Sequence, residues 1–369
     1  MHFLLLAAAL ALSSAASLPS NGTSTWGCTY LGELGTLTIS TASAPGFTAC
    51  DASEGNATAV AWGLFTDGLG LITAGNWAQL AIHTSAAFPE LLQAQAAGYL
   101  EGYLTASRTT EFVHNVHGGG STWSPALEAF VEENLAYVAH RVLESPGDPF
   151  WRHVGLVHAQ QAAAFDGYMA ASAAGHAPAL DNATYYALSL IGDMDDLCVV
   201  FGCMQTTSWR RARATGVKAD PELLRHERSL SDGHCSALVK PLGPLSAPTD
   251  VLFGHTTWNP LEAMTRVYKL YDFPWTVSGV PGSATVPGTQ IAFSSFPGVL
   301  YSFDDYYTTY PAALGVLETT IINNNASLWA LVRPTSVMEW VRNMVANRLA
   351  DDGASWAAYF ERENSGTCE

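Results

Sequence analysis

The sequence predicts an α+β fold with helices packed on antiparallel sheets. Two observations point there. From about residue 87 to residue 196 the apolar residues recur at helical spacing. After Cys235 they switch to short runs with strand period and turn residues between them. A third observation sets the scale: 369 residues, 48% hydrophobic and 13% charged, suffice for a large core in one or two domains.

Residues 1–17 read as a secretory leader, residues 18–204 as a helical and strand part, residues 205–234 as an exposed linker, and residues 235–369 as a strand-rich part. Phe3 to Leu12 forms the apolar segment of the leader, and Ser14-Ala15-Ala16 supplies small residues for its cleavage. The expected mature protein is secreted or lysosomal. No stretch is long enough to span a bilayer.

Segment 28–72 looks β-rich, with runs at 36–40 and 59–65. The first helix begins near Ala87, carries Leu91, Leu92, Gln95, Tyr99 and Tyr103 on one side, and runs to about Thr105. A second starts with Ser124 as N-cap and Pro125 in its first turn, with Leu127, Phe130, Val131, Leu135, Val138 and Val142 as its stripe. A third spans about 150–172 and a fourth 185–196. The 205–234 segment, with basic Trp209-Arg-Arg-Ala-Arg213 and turn-like Ser229-Leu-Ser-Asp-Gly233, reads as protease-sensitive. Strands are expected at 235–240, 250–255, 290–295, 299–303, 306–310 and 314–322. One helix interrupts them, capped by Asn259 with Pro260 and Glu262, and marked by Met264, Val267, Tyr268 and Tyr271. A last helix spans 336–349, after which the chain shows no further element.

Sixteen basic against 33 acidic residues leave a formal charge of −17. A nucleic-acid partner is therefore not expected, since phosphate binding needs a basic face. Sequons at Asn21, Asn56, Asn182 and Asn325 are expected glycosylation sites behind a leader. Among six cysteines, Cys28 with Cys50 and Cys198 with Cys203 are candidate disulfides. That leaves Cys235 and Cys368, either paired or with Cys235 free and reactive.

Several chemistries have no signal. There is no Gly-x-Ser-x-Gly elbow, no His-Glu-x-x-His and no phosphate-binding glycine loop. No metal or cofactor is expected. Cys235 stands out because it opens a strand candidate just after the linker. If the chain is cut between His234 and Cys235, a new N-terminus carries a thiol nucleophile and, a few atoms away, an α-amine base. A buried structural cysteine is the plainer alternative. His255, at a strand end, is a second catalytic candidate and otherwise a core or surface histidine. Trp258 is a candidate wall of an acyl pocket and otherwise packing.

Gly233-His-Cys-Ser-Ala-Leu-Val-Lys240, Gly254-His-Thr-Thr-Trp-Asn259, Met264-Thr-Arg-Val-Tyr-Lys269, Phe293-Ser-Ser-Phe-Pro-Gly298, Leu317-Glu-Thr-Thr-Ile321, Glu339-Trp-Val-Arg-Asn343 and Asn364-Ser-Gly-Thr367 together resemble the phospholipase B-like proteins. These are lysosomal and secreted N-terminal-nucleophile hydrolases. The resemblance covers about Ala59 to Thr367. It implies a four-layer αββα sandwich, incomplete in this chain, and self-cleavage before Cys235. It makes Cys235 the nucleophile, maps a His-x-x-Trp pair to His255 and Trp258, and makes Thr320 a site-lining candidate. The implied activity is hydrolysis of acyl ester bonds of phospholipids, or of acyl amides. A homodimer is compatible with this. The family continues past the Asn364 block with further strands and an oxyanion-hole Asn, whereas this sequence stops at Glu369. A fragment, a shortened form and a non-catalytic secreted glycoprotein are the readings that follow.

Overall fold

The computed structural model describes residues 23–32, 36–43, 59–68, 77–117, 123–201, 235–244, 246, 248–259, 261–319 and 325–367. The expected leader and the expected linker at 205–234 lie outside them.

Among the described residues the strands are β1 (Thr23–Leu31), β2 (Leu37–Ser43), β3 (Ala59–Asp67), β4 (Ala78–Thr84), β5 (Ser236–Leu242), β6 (Asp250–Thr256), β7 (Val267–Asp272), β8 (Gln290–Ser295), β9 (Tyr306–Tyr310) and β10 (Gly315–Leu317). The helices are α1 (Glu90–His117), α2 (Pro125–Glu144), α3 (Pro149–Ala173), α4 (Asn182–Ser189), α5 (Met194–Phe201), α6 (Glu339–Leu349) and α7 (Gly353–Glu361). Eight strands form one sheet in the order β10-β9-β8-β7-β4-β3-β1-β2, and β5 and β6 form a separate two-stranded ribbon. Every pairing is antiparallel except β4 with β7. That parallel pair, at the centre of the sheet, joins a strand before residues 205–234 to one after them.

The register explains which face is buried. Phe65 lies opposite Leu80, Leu80 beside Lys269, Lys269 opposite Phe293, and Phe293 opposite Tyr307. This row is buried against the helices. The alternate residues, Leu64, Ala81 and Ala292, are only partly covered, as a strand period of two requires. Lys269 and Glu101 of α1 form a salt bridge of 2.6 Å with both side chains fully buried, and Tyr271 donates to the other Glu101 oxygen. A buried charge is tolerated here because each partner is bonded to the other.

Helices α1 and α3 touch backbone to backbone. A Cβ at Gly102 would lie 1.9 Å from the Ala164 carbonyl oxygen, and one at Gly167 would lie 2.0 Å from that of Tyr99. Only glycine admits this approach. Helix α2 is capped as expected: Ser124 accepts from the Leu127 N–H and proline follows it. Helix α6 is buried along its whole length, its polar residues included.

Several expectations are corrected. Residues 259–271 do not form a helix. A 3-10 turn at Leu261–Ala263 is followed by strand β7. Val267 and Tyr271 share a face at strand spacing as well as at helical spacing, and pairing with both β4 and β8 decides between them. Segment 299–303 carries no ladder: it follows a turn at Gly298 (φ 77°) with Val299, Leu300 and Tyr301 buried as a loop. Helix α1 continues twelve residues past Thr105, to His117. The expected single helix at 185–196 is two, α4 and α5. Strand β4 was not expected, and neither was α7, which an Asp352–Ser355 capping box starts. The last strand is shorter than expected, Gly315–Leu317, and residues 320–322 of the expected run lie outside the described ones.

Candidate functional site

Cys235 immediately precedes β5. Ser236 pairs with Thr256 and Ala237 with His255. One step further, the register sets Cys235 opposite Thr257, so Cys235, Ala237, His255 and Thr257 project from one face of the ribbon. The small Ala237 leaves that face open.

The ribbon is pinned at one corner of the large sheet, on the side away from the helices. Phe253 stacks on Tyr306 with ring centroids 5.5 Å apart, directly over Gly315, where a Cβ would meet the Phe253 ring at 2.5 Å. His255 supplies the second tie. Its Nε2–H donates to the Glu318 carbonyl at 2.7 Å, which leaves Nδ1 as the acceptor facing the Thr257 hydroxyl at 3.3 Å. Nε2 is thus committed to the wall of the site, while the one Thr257 hydroxyl proton can go to Nδ1 or to a neighbouring carbonyl. Thr257 Oγ1 also lies 3.3 Å from the Asp304 carbonyl.

Three acidic residues line this corner. Asp304 forms a buried ion pair with Arg266, whose guanidinium lies over the Phe296 ring at 4.6 Å and the Trp77 ring at 5.6 Å. Glu318 follows β10 and Asp305 precedes β9, one step beyond the Leu317–Tyr306 pair. The Glu318 N–H reaches the Asp305 carbonyl at 3.3 Å, and burial pushes the Asp305 carboxyl up, with the charge of Glu339 adding to it. Asp305 adopts φ 55°, a left-handed conformation that Asp tolerates better than most residues.

Partial burial pushes the Cys235 thiol up, and the negative charges of Glu318 and Asp304 push it further. A bond from the Trp258 main-chain N–H and the charge of Arg266 oppose this. In the uncut chain the sulfur is therefore a neutral thiol at neutral pH and needs a base to become a nucleophile.

Among the described residues Cys235 is the free cysteine. Cys28 and Cys198 are each in a disulfide, while their proposed partners Cys50 and Cys203 lie outside the described residues. So do His234, Thr320, Asn21 and Asn56. Asn182 is exposed at the first position of α4. Asn325 is exposed and caps a 3-10 turn, its Oδ1 accepting from Ser327. The Trp258 side chain is 60% exposed, so its main chain, not its ring, reaches the thiol. No group of three or more His, Cys, Asp or Glu side chains among the described residues is placed to hold a metal. A cleft of about 740 Å³ lies elsewhere, lined by Phe88, Glu90, Arg152 and Thr276 among others, and it includes none of the residues around Cys235.

Sequence reasoning assigned no role to Asp304, Asp305, Glu318, Arg266 or Thr257. The available signal was faint: an Asp-Asp pair opening one short strand and a Glu closing the next.

No helix among the described residues is long and apolar enough to cross a membrane. The family model for phospholipase B matches residues 61–369. Among curated proteins the chain is similar to phospholipase B-like protein B of Dictyostelium discoideum, at 34% identity over 79% of this chain and 48% of that protein. It is similar to phospholipase B-like protein E of the same organism, at 32% over 84% of this chain and 52% of that protein. The chain spans about half the length of the curated relatives it matches. By this match over most of its length, the chain belongs to the phospholipase B family.

Proposed function

We propose that this chain is a self-processing cysteine hydrolase of the N-terminal-nucleophile type that cleaves acyl ester bonds of phospholipids. The observation that carries the reading is the placement of a free thiol one residue before a strand, on the open face shared with His255 and Thr257. In the processing step Sγ attacks the His234 carbonyl carbon, and the peptide C–N bond breaks to free the Cys235 amine and leave a thioester. Water then hydrolyses the thioester, giving a His234 carboxylate and the thiol. In processing the departing Cys235 nitrogen would take up the thiol proton as the C–N bond breaks, and the amine so freed would then be the base for turnover. In turnover the same sulfur would take an acyl group from the substrate, the ammonium would protonate the leaving alkoxide, and water would release the acid. His255 would act by holding the loop, through the bond from its Nε2–H to the Glu318 carbonyl.

The two products of processing would stay together. The central β4–β7 pairing and the buried Lys269–Glu101 bridge both cross the expected cut. A secreted or lysosomal location, with glycans at the four sequons, belongs to this same reading.

Denaturing intact-mass analysis tests it. Wild-type protein should give two chains with Cys-Ser-Ala-Leu at the new N-terminus, native purification should keep them together, and Cys235→Ala should give a single chain. An uncut wild-type chain would remove the reading. Parallel assays with a lysophospholipid and an N-acyl amide decide between ester and amide substrates. A second reading, a non-catalytic secreted glycoprotein, is favoured by the exposure of both faces of β5, which leaves the nucleophile without a full cavity.

A further inference from the structure

We infer that Arg266 is a positioning residue of the Cys235 site: its guanidinium, laid over Phe296 and paired with the Asp304 carboxylate, fixes the Asp304 carbonyl that meets the Thr257 hydroxyl, and so seats the strand opposite Cys235.

The sheet supplies the fixed end. Arg266 immediately precedes β7, and its carbonyl takes the Ala78 N–H at 2.9 Å, so its main chain extends the central parallel pair. Its side chain and that of Asp304 are both buried and form an ion pair. The guanidinium lies 4.6 Å from the centre of the Phe296 ring and 5.6 Å from that of Trp77, and Phe296 shows no surface. The segment that carries Asp304 has an anchor of its own at one end. The Ser302 N–H donates to the Tyr307 hydroxyl at 2.8 Å, and the Ser302 and Ser294 hydroxyls lie 3.2 Å apart. Arg266 holds the other end, where the Asp304 carbonyl stands 3.3 Å from Thr257 Oγ1. Thr257 follows β6 and stands opposite Cys235 in the ribbon register. Four steps of chemistry thus join the closed core to the open ribbon: ring, guanidinium, carboxylate residue, hydroxyl.

Stability alone does not account for such a pair. A buried ion pair adds little over apolar side chains of the same volume, whereas removing one partner leaves a buried charge uncompensated. What the pair supplies is a single arrangement of the segment it holds. Arginine suits this better than lysine, because a planar guanidinium can lie on a ring by its face while its edge meets a carboxylate. Of the charges that act on the sulfur, those of Glu318 and Asp304 are negative and that of Arg266 is positive.

This role rests on the reading of Cys235 as the nucleophile, but its test does not depend on scission. The test is hydrogen exchange of the full chain on the seconds scale, read by peptide mass spectrometry, with β5 and β6 compared against β3 and α3. Arg266→Lys keeps the charge and loses the flat fork. Asp304→Asn breaks the pair from the other side and serves if the first variant does not fold. Each should speed exchange in the ribbon about five-fold, the worth of one neutral hydrogen bond, and leave β3 and α3 unchanged. Thr257→Val should do the same. Combining it with either variant should add nothing further, since both changes remove one link. Exchange that rises equally in β3 and α3 would make Arg266 a general stabiliser and overturn the inference. A ribbon unmoved in both variants would overturn it too, and so would additive effects in the double variant, which would separate Arg266 from Thr257. If the variants behave as expected but the wild-type chain never yields an N-terminal Cys235, the seat stands and the self-processing reading falls.

Discussion

The two β-structures of this protein are treated differently by the rest of the chain. The helix-facing row of the eight-stranded sheet is closed: Val267, Tyr271, Ile291 and Phe293 show no surface at all. The ribbon that carries the candidate nucleophile is bare, with Leu238 64% and Val239 59% exposed and no buried residue along β5. The Phe253 ring, the His255 bond and the Thr257 hydroxyl on the Asp304 carbonyl tie it to the sheet's corner. Stability therefore resides in the helix–sheet layer, while the proposed nucleophile sits on an element that contributes little to it.

Substitutions sharpen that contrast. Phe293→Ala should cost about 3–5 kcal/mol in denaturant unfolding, because a large ring leaves a closed layer. Gly102→Ala should cost more than an ordinary helix substitution. The new methyl would meet the Ala164 carbonyl, so α1 and α3 must part by an amount that their close packing resists. Both effects should appear whether or not the chain is cut at Cys235.

Within the helical layer, two buried histidines and one buried aspartate respond to pH in opposite senses. Burial lowers His153 to about 3, with Arg152 adding to it, and burial lowers His158 to about 4. An unfolded imidazole takes a proton near 6.5, so their contribution is present above that value and lost as pH falls towards 4 and below. Asp193 beside α6 is raised to about 6, chiefly by burial. Its contribution is present below about 4 and lost as pH rises through 6. Near pH 5, unfolding takes up two protons at the histidines and releases one at Asp193, so these three groups make stability rise with pH. Asp193→Asn should steepen that rise by roughly 1.4 kcal/mol per pH unit, the weight of one proton. Urea midpoints measured between pH 4.5 and 6 check this. An unchanged slope would mean that Asp193 titrates normally.

Smaller effects belong to the ribbon. Phe253→Ala should cost about 1–2 kcal/mol, yet slow release of the Cys235 N-terminus markedly, because it removes the ring that seats the site. Leu238→Ala should stay within about 0.5 kcal/mol, since its side chain is already in water. A loss as large as that of Phe293→Ala would show that this face is covered in solution and would break the comparison.

Local sequence signals were reliable where a few neighbouring residues decide the outcome. Ser124 and Pro125 start α2 as read, and the runs at 290–295 and 306–310 are strands as read. They failed at 259–271, where the same apolar residues satisfy both periods until β4 and β8 flank them. Strand β4 was missed because Ala78-Gln-Leu-Ala-Ile-His-Thr84 is weak in β-branched residues and becomes a strand through its two neighbours. At the site, the ordered blocks around Cys235 and His255 drew attention to both residues. The Asp305–Glu318 and Asp304–Arg266 pairs are each separated by tens of residues or by a change of element, and only strand register brings them to one corner.

The sequence by itself determined the alternation of helical and strand periods, the acidic balance, and the isolation of one cysteine at the head of a strand. Each of these depends on residues adjacent in the chain. Tertiary structure alone decided which face is dry, that the ribbon stands apart, and that acidic residues from another pair of strands stand near the thiol. Burial and charge coupling act through space, and no chain-local pattern encodes a distance between residues 235, 305 and 318.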